Sequence, residues 1–114
     1  MLSAKASPYM AQIMIREQMQ PSPAFNILYD EIMQPMHYTV TSLIARIINV
    51  PADSEEAILC THTILGQLLI FKTHKELLLR RTGWKTYGKE EAEMIVSLIL
   101  QNTDAILKAH QKKA

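Results

Sequence analysis

An all-α fold is predicted by three features of this 114-residue sequence. Its 3 glycines and 5 prolines are few, and the prolines stand where helices would begin, bend or stop. Apolar residues recur at helical spacing through residues 23–49. The run AILCTHTILGQLLIF, residues 57–71, contains no Asp, Glu, Lys or Arg, as a helix enclosed by other helices would. A bilayer span takes ~20 apolar residues, and this run is shorter and carries Thr61, His62, Thr63 and Gln67. A buried helix is therefore expected, with no membrane association.

With 48% apolar and 20% charged residues, the chain is composed like an ordinary globular domain, one domain spanning 1–114. Its 12 basic residues against 11 acidic ones leave no long-range field to attract nucleic acid or an anionic membrane. A single cysteine, Cys60, and the lack of a leader-like N-terminus point to a reducing, cytoplasmic location.

The first helix is expected from about Pro8 to Gln20, with Tyr9, Met10, Ile13, Met14, Ile15 and Met19 on several sides, a pattern of burial among other helices. Ser22 then serves as N-cap with Pro23 at the first helical position, where a missing N–H costs nothing. The second helix, about 23–49, carries one stripe of Phe25, Leu28, Tyr29, Ile32, Met36, Val40, Leu43 and Ile47, with Asp30, Glu31, Gln34 and Thr41 facing away. Pro35 interrupts it, and because the stripe resumes in phase, a kink is expected rather than a break. Asp53 and Glu56 have the form of an N-cap pair for the third helix, which runs to about Thr73. HKELLLRRTGW continues helically to a stop at Gly83, and the last helix runs from about Lys89 to His110, acidic in its first turn and basic in its last.

Two of these helices lack a polar outside. On the third, Ala57, Cys60, Ile64, Leu68 and Phe71 fall to one side, Ile58, Leu65 and Leu69 to a second, and Leu59 with Ile70 to a third. On the last, Ala92, Ile95, Val96, Ile99 and Ile106 form one stripe and Met94, Leu98 and Ala105 another. Each large aliphatic side chain left in water forgoes roughly 1.5–3 kcal/mol, so a covering surface is implied. The simplest is a second copy, giving a homodimer with a four-helix interface through Leu59, Gly66, Ile70, Met94, Leu98 and Ala105, Gly66 permitting close backbone approach.

REQMQPSPAFNILYDEIMQP (16–35) and GQLLIFKTHKELLLRRTGW (66–84) resemble the C-terminal regulatory domain of TetR-type transcriptional regulators, in particular the CecR-like subgroup. The similarity covers the chain from about residue 8 onward. It implies a TetR-type C-terminal helical bundle whose last two long helices dimerise and whose preceding helices accept a small effector. It also implies an N-terminal helix-turn-helix module, for which the residues before Pro8 leave no room; the chain is expected to be the regulatory half, meeting DNA only through that absent module.

By the same resemblance, an unknown apolar or amphipathic effector would lie against Met14, Phe25, Tyr29, Met33, Met36 and Phe71, with His37, His62 and Gln67 as polar contacts. Met10, Met14, Met19, Met33 and Met36 give the first two helices a deformable lining; core filling explains the same residues. His62 otherwise reads as a hydrogen-bonded interior or interface residue. Cys60 and His62 fall on different sides of a helix, and with neither His-x-x-x-His nor paired cysteines no metal or other cofactor is expected. Glu31, His37, Arg46 and Glu76 are scattered and form no motif that would make an enzyme. The alternative to a ligand-sensing dimer is a helical protein–protein interaction module without a small-molecule ligand.

Overall fold

The computed structural model describes residues 8–113. Along them run α1 (Pro8–Met19), α2 (Ala24–Leu28), a π-helical segment (Tyr29–Met33), α3 (Gln34–Ile48), α4 (Glu55–Thr73), α5 (Lys75–Thr82) and α6 (Lys89–His110). The expected all-α class holds, with no strand among the described residues. The expectation about residues before Pro8 lies outside them. Two compact units divide between Tyr38 and Thr39, inside α3.

In the first unit α1 packs against α2. The corner between them is built on Glu17, buried at 3% exposure, whose carboxylate accepts the Ser22 N–H at 2.8 Å and the Ser22 hydroxyl at 2.9 Å. Ser22 Oγ in turn accepts the Ala24 N–H at 3.2 Å, and Pro23 already has helical dihedrals, φ −56° and ψ −25°. Ser22 Oγ therefore engages the turn leading into α2, but the N-cap position of the helix is taken by Pro23, one residue later than the sequence suggested. The burial expected all round α1 is not found: Tyr9 is 70% and Met19 79% exposed, because α2 covers one side of the helix only.

The second expected helix is one helical path in three parts. Instead of a simple kink at Pro35, the turn ahead of it widens to π geometry, and the Gln34 N–H reaches the carbonyl of Tyr29 five residues back. That inserts one residue into the helical repeat just ahead of Gln34. The buried face of α3 is Thr41, Ile44, Ala45 and Ile48, whereas Leu43 and Ile47, placed on the core stripe from the sequence, are exposed, and Thr41, placed outside, is fully buried.

The second unit has its core where Ile44 and Ile48 of α3 meet Cys60 and Ile64 of α4, with Val40, Val50, Ile106 and Leu107 packed against them. At the end of α3, Asn49 takes the left-handed conformation at φ 61°, which Asn tolerates better than most residues, and the Val50 N–H bonds back to Ala45 O at 3.0 Å. Ser54, not Asp53, caps α4: its backbone is extended and its Oγ accepts the Ala57 N–H at 3.2 Å, a reach Asp53 lacks one residue earlier. Leu68, assigned from the sequence to the side of Cys60 and Ile64, is exposed. The α4 path breaks at His74, where φ is −120°, and α5 ends at Gly83 with φ 82° and its N–H on Leu79 O at 2.9 Å.

The end of α6 and the residues after it are tied to the α3–α4 corner. Lys112 N–H donates to Ile48 O at 2.9 Å, Asn49 Nδ2 to Lys112 O at 2.8 Å and Gln111 Nε2 to Ile47 O at 3.1 Å. Glu56 Oε2 lies 3.0 Å from Lys112 Nζ and 3.4 Å from His110 Nδ1. These bonds fix one end of α6 relative to α3 and α4.

Candidate functional site

Two apolar helix faces dominate the second unit. Ala57, Cys60, Thr61 and Ile64 turn α4 inward, which leaves Leu59, His62, Gly66 and Ile70 on the opposite side at spacings of three and four. Leu59 is 66% and Ile70 52% exposed. Among the described residues, nothing lies within 4 Å of the position a Cβ on Gly66 would take. On α6 the half-buried residues are Glu91, Ile95, Ile99, Thr103, Ile106 and Leu107, while Met94, Leu98, Gln101 and Ala105 face out, Met94 at 62% and Leu98 at 50%. Val96, grouped from the sequence with the inward stripe, is also exposed.

Gln67 Nε2 donates to Thr103 Oγ1 at 3.1 Å and holds α4 against α6 in register. An open groove of about 730 Å³ is lined by Phe71, Leu78 and Trp84 together with Glu93, Met94, Ile95, Ser97, Leu98 and Gln101 of α6. An aromatic bracket supports its wall. Tyr87 O–H donates to Phe71 O at 2.6 Å, Trp84 meets the Tyr87 ring edge-on at 6.5 Å, and Lys75 Nζ sits 5.0 Å above that ring. Sequence reasoning treated GWKTYG only as a connection; its Trp and Tyr in an otherwise polar link were the available signal.

The residues named as effector contacts are divided between the two units. Met14, Phe25, Tyr29, Met33, Met36 and His37 belong to the first unit and His62, Gln67 and Phe71 to the second. In the first, Phe25 and Tyr29 stack at 6.1 Å between ring centres and Gln18 Nε2 approaches Met33 Sδ at 3.1 Å; Met14, Phe25, Met33 and His37 are half-buried, Tyr29 and Met36 exposed. In the second, Gln67 and Phe71 share a side of α4. His62 is exposed nine residues before Phe71, about half a turn round the helix, so it stands with Leu59 and Ile70 and not beside Phe71.

Burial pushes the Cys60 thiol up, nearby Glu56 adds to the shift, and the protonated thiol is a poor nucleophile and ligand. The Lys112 ammonium hydrogen bond, against the opposing effect of burial and with His110 assisting, holds the Glu56 carboxyl below its ordinary range. No cluster of three or more His, Cys, Asp or Glu placed to hold a metal occurs among the described residues, and no helix there is long and apolar enough to cross a membrane.

The second unit is thus helical, with apolar residues exposed on the outer faces of α4 and α6. The family model of the HTH-type transcriptional dual regulator CecR, C-terminal domain, matches residues 1–110, and the chain belongs to that family. It is similar to the HTH-type transcriptional dual regulator CecR of Shigella flexneri, at 30% identity over 105 residues, which cover 92% of this chain and 47% of that protein. The chain thus spans about half the length of its curated relative.

Proposed function

We infer that the chain is the dimerisation and effector-sensing half of a transcriptional regulator, whose operator contacts are made by an N-terminal helix-turn-helix module of the longer protein. The observation that carries this reading is the exposure of Leu59, Ile70, Met94 and Leu98 on α4 and α6. Enclosing each such side chain fully is worth roughly 1.5–3 kcal/mol, enough in sum to hold two copies together across a twofold axis. The second copy covers Gly66 and Ala105 and roofs the groove beside Phe71. The effector, an apolar or amphipathic small molecule, rests on the methionine and aromatic side chains of the first unit, Met14, Phe25, Tyr29, Met33 and Met36, which adapt to varied shapes. Its binding favours one conformation of the regulator and so changes operator affinity without touching DNA.

Light scattering on the eluting protein at micromolar concentration tests the dimer. The expected mass is twice that of the chain, falling to the single-chain value in Leu98→Glu, with the helical circular dichroism retained. A wild-type monomer at that concentration sinks the reading and leaves an interaction module that waits for a different protein.

A further inference from the structure

An α-helix leaves the carbonyls of its last turn without partners along its own axis, and α3 meets that need in two ways. The Ala45 carbonyl takes the Val50 N–H at 3.0 Å. The Ile47 and Ile48 carbonyls instead receive donors from 64 residues further along the chain, Gln111 Nε2 at 3.1 Å and the Lys112 N–H at 2.9 Å. Gln111 leaves α6 with extended backbone, φ −66° and ψ 128°, which carries the chain across the end of α3. The contact is reciprocal, since Asn49, turned to φ 61°, donates its Nδ2 to Lys112 O at 2.8 Å. From the start of α4, Glu56 adds a carboxylate 3.0 Å from Lys112 Nζ and 3.4 Å from His110 Nδ1. Residues 110–112 thus join three helix ends, all within the second unit.

This strap closes the edge of the core. No residue of α6 is fully buried, and the helix reaches the cluster of Ile44, Ile48, Cys60 and Ile64 through Ile106 and Leu107, both half-buried. Two half-buried side chains are a weak apolar hold for the end of a helix. Ile48 is 0% and Cys60 4% exposed, whereas Gln111 and Lys112 lie on the surface. Water therefore reaches the Ile48 carbonyl only where the strap has left it. A buried carbonyl without a partner is costly, so detachment of the strap and entry of water occur together. We propose that residues 111 and 112 are a conformational latch: shut, it seals the core between α3, α4 and α6, and released, it lets the end of α6 lift and opens Cys60 to solvent in one local, cooperative event. The latch also fixes α6 against α4, the two helices whose outer rows associate in the dimer reading above. It acts within one chain, and its test needs no effector and no dimer.

Cys60, the single cysteine of the chain, reports the latch when a chromogenic disulfide reagent is mixed with the native protein. A chain ended at His110 should label about tenfold faster than the wild type with its helical circular dichroism retained, the scale of one or two lost hydrogen bonds. Asn49→Gly keeps the left-handed turn and removes one donor to the strap, and it should label about threefold faster. In both variants amide hydrogen exchange should accelerate across residues 44–48, 56–64 and 103–110 together, while α5 keeps its wild-type rates. A folded chain ended at His110 whose thiol labels at the wild-type rate overturns the latch. If that chain does not fold, an unchanged thiol rate in Asn49→Gly overturns it. Exchange accelerated equally in α5 shows general destabilisation in place of a latch, and overturns it as well.

Discussion

Glu17 is an acidic residue in the interior, and its position is explained by the hydrogen bonds it accepts. The Ser22 backbone N–H first and the Ser22 hydroxyl second hold its carboxyl below the ordinary glutamate range, outweighing the opposite pull of burial. A group whose folded-state value is depressed contributes stability that is complete above its unfolded value and is lost as pH falls through the lower, native value. Glu17→Gln should therefore melt below the wild type at neutral pH, and the gap should close as both are acidified through the native Glu17 titration; melting temperature against pH for the pair reads it directly. A gap independent of pH would mean that shape, not charge, holds the α1–α2 corner. Ser42 poses the opposite case, with a buried Oγ that has no hydrogen-bond partner among the described residues. Desolvating a hydroxyl without return is unfavourable, and alanine is the better helix former, so Ser42→Ala should stabilise the protein by about 1 kcal/mol in denaturant titration.

Helix boundaries were largely legible in the sequence because their signals are local. Pro8, Gly83, the acidic start of α6 and its basic end each act within one turn, and α1, α4, α5 and α6 begin or end within a residue or so of the expected positions. Gly83 is the sharpest of these: at φ 82° a Cβ meets unfavourable backbone contacts although the space around it is open. Gly83→Ala should cost about 1–2 kcal/mol in equilibrium unfolding, and Gly83→Asn less, since Asn tolerates the left-handed region. What the sequence concealed was non-local. Hydrophobic period alone could not register the extra residue in the π turn, and a phase carried through Pro35 placed Leu43 and Ile47 inside and Thr41 outside. The same limit applies to the effector contacts. A helix wheel sets His62 half a turn from Phe71 only once the inward face of α4 is known, and the bracket of Tyr87 on Phe71 O joins residues sixteen apart. Glu17 was equally opaque, because nothing in its own neighbourhood of sequence says that the chain will fold Ser22 back onto it.

At the scale of the assembled protein, Gly66 separates a face that is merely exposed from one that is built for contact. Within one chain a side chain at position 66 has room, since nothing among the described residues lies within 4 Å of its Cβ position. Glycine inside a helix costs roughly 0.5–1 kcal/mol relative to alanine, so for an isolated subunit Gly66→Ala can only help and Gly66→Leu adds one more exposed apolar group. If α4 of a second copy packs its backbone close to this position, both substitutions act against association, and the larger one acts more strongly because it forces the helices apart by the width of a side chain. The expected outcome is a dimer whose dissociation constant, from sedimentation at a series of concentrations, rises modestly in Gly66→Ala and by at least tenfold in Gly66→Leu, a change of about 1.4 kcal/mol. Circular dichroism of both variants should stay helical, which keeps association distinct from folding. Equal dissociation constants for all three proteins would move the twofold contact away from the Leu59–Gly66–Ile70 face and leave Met94 and Leu98 of α6 as its centre.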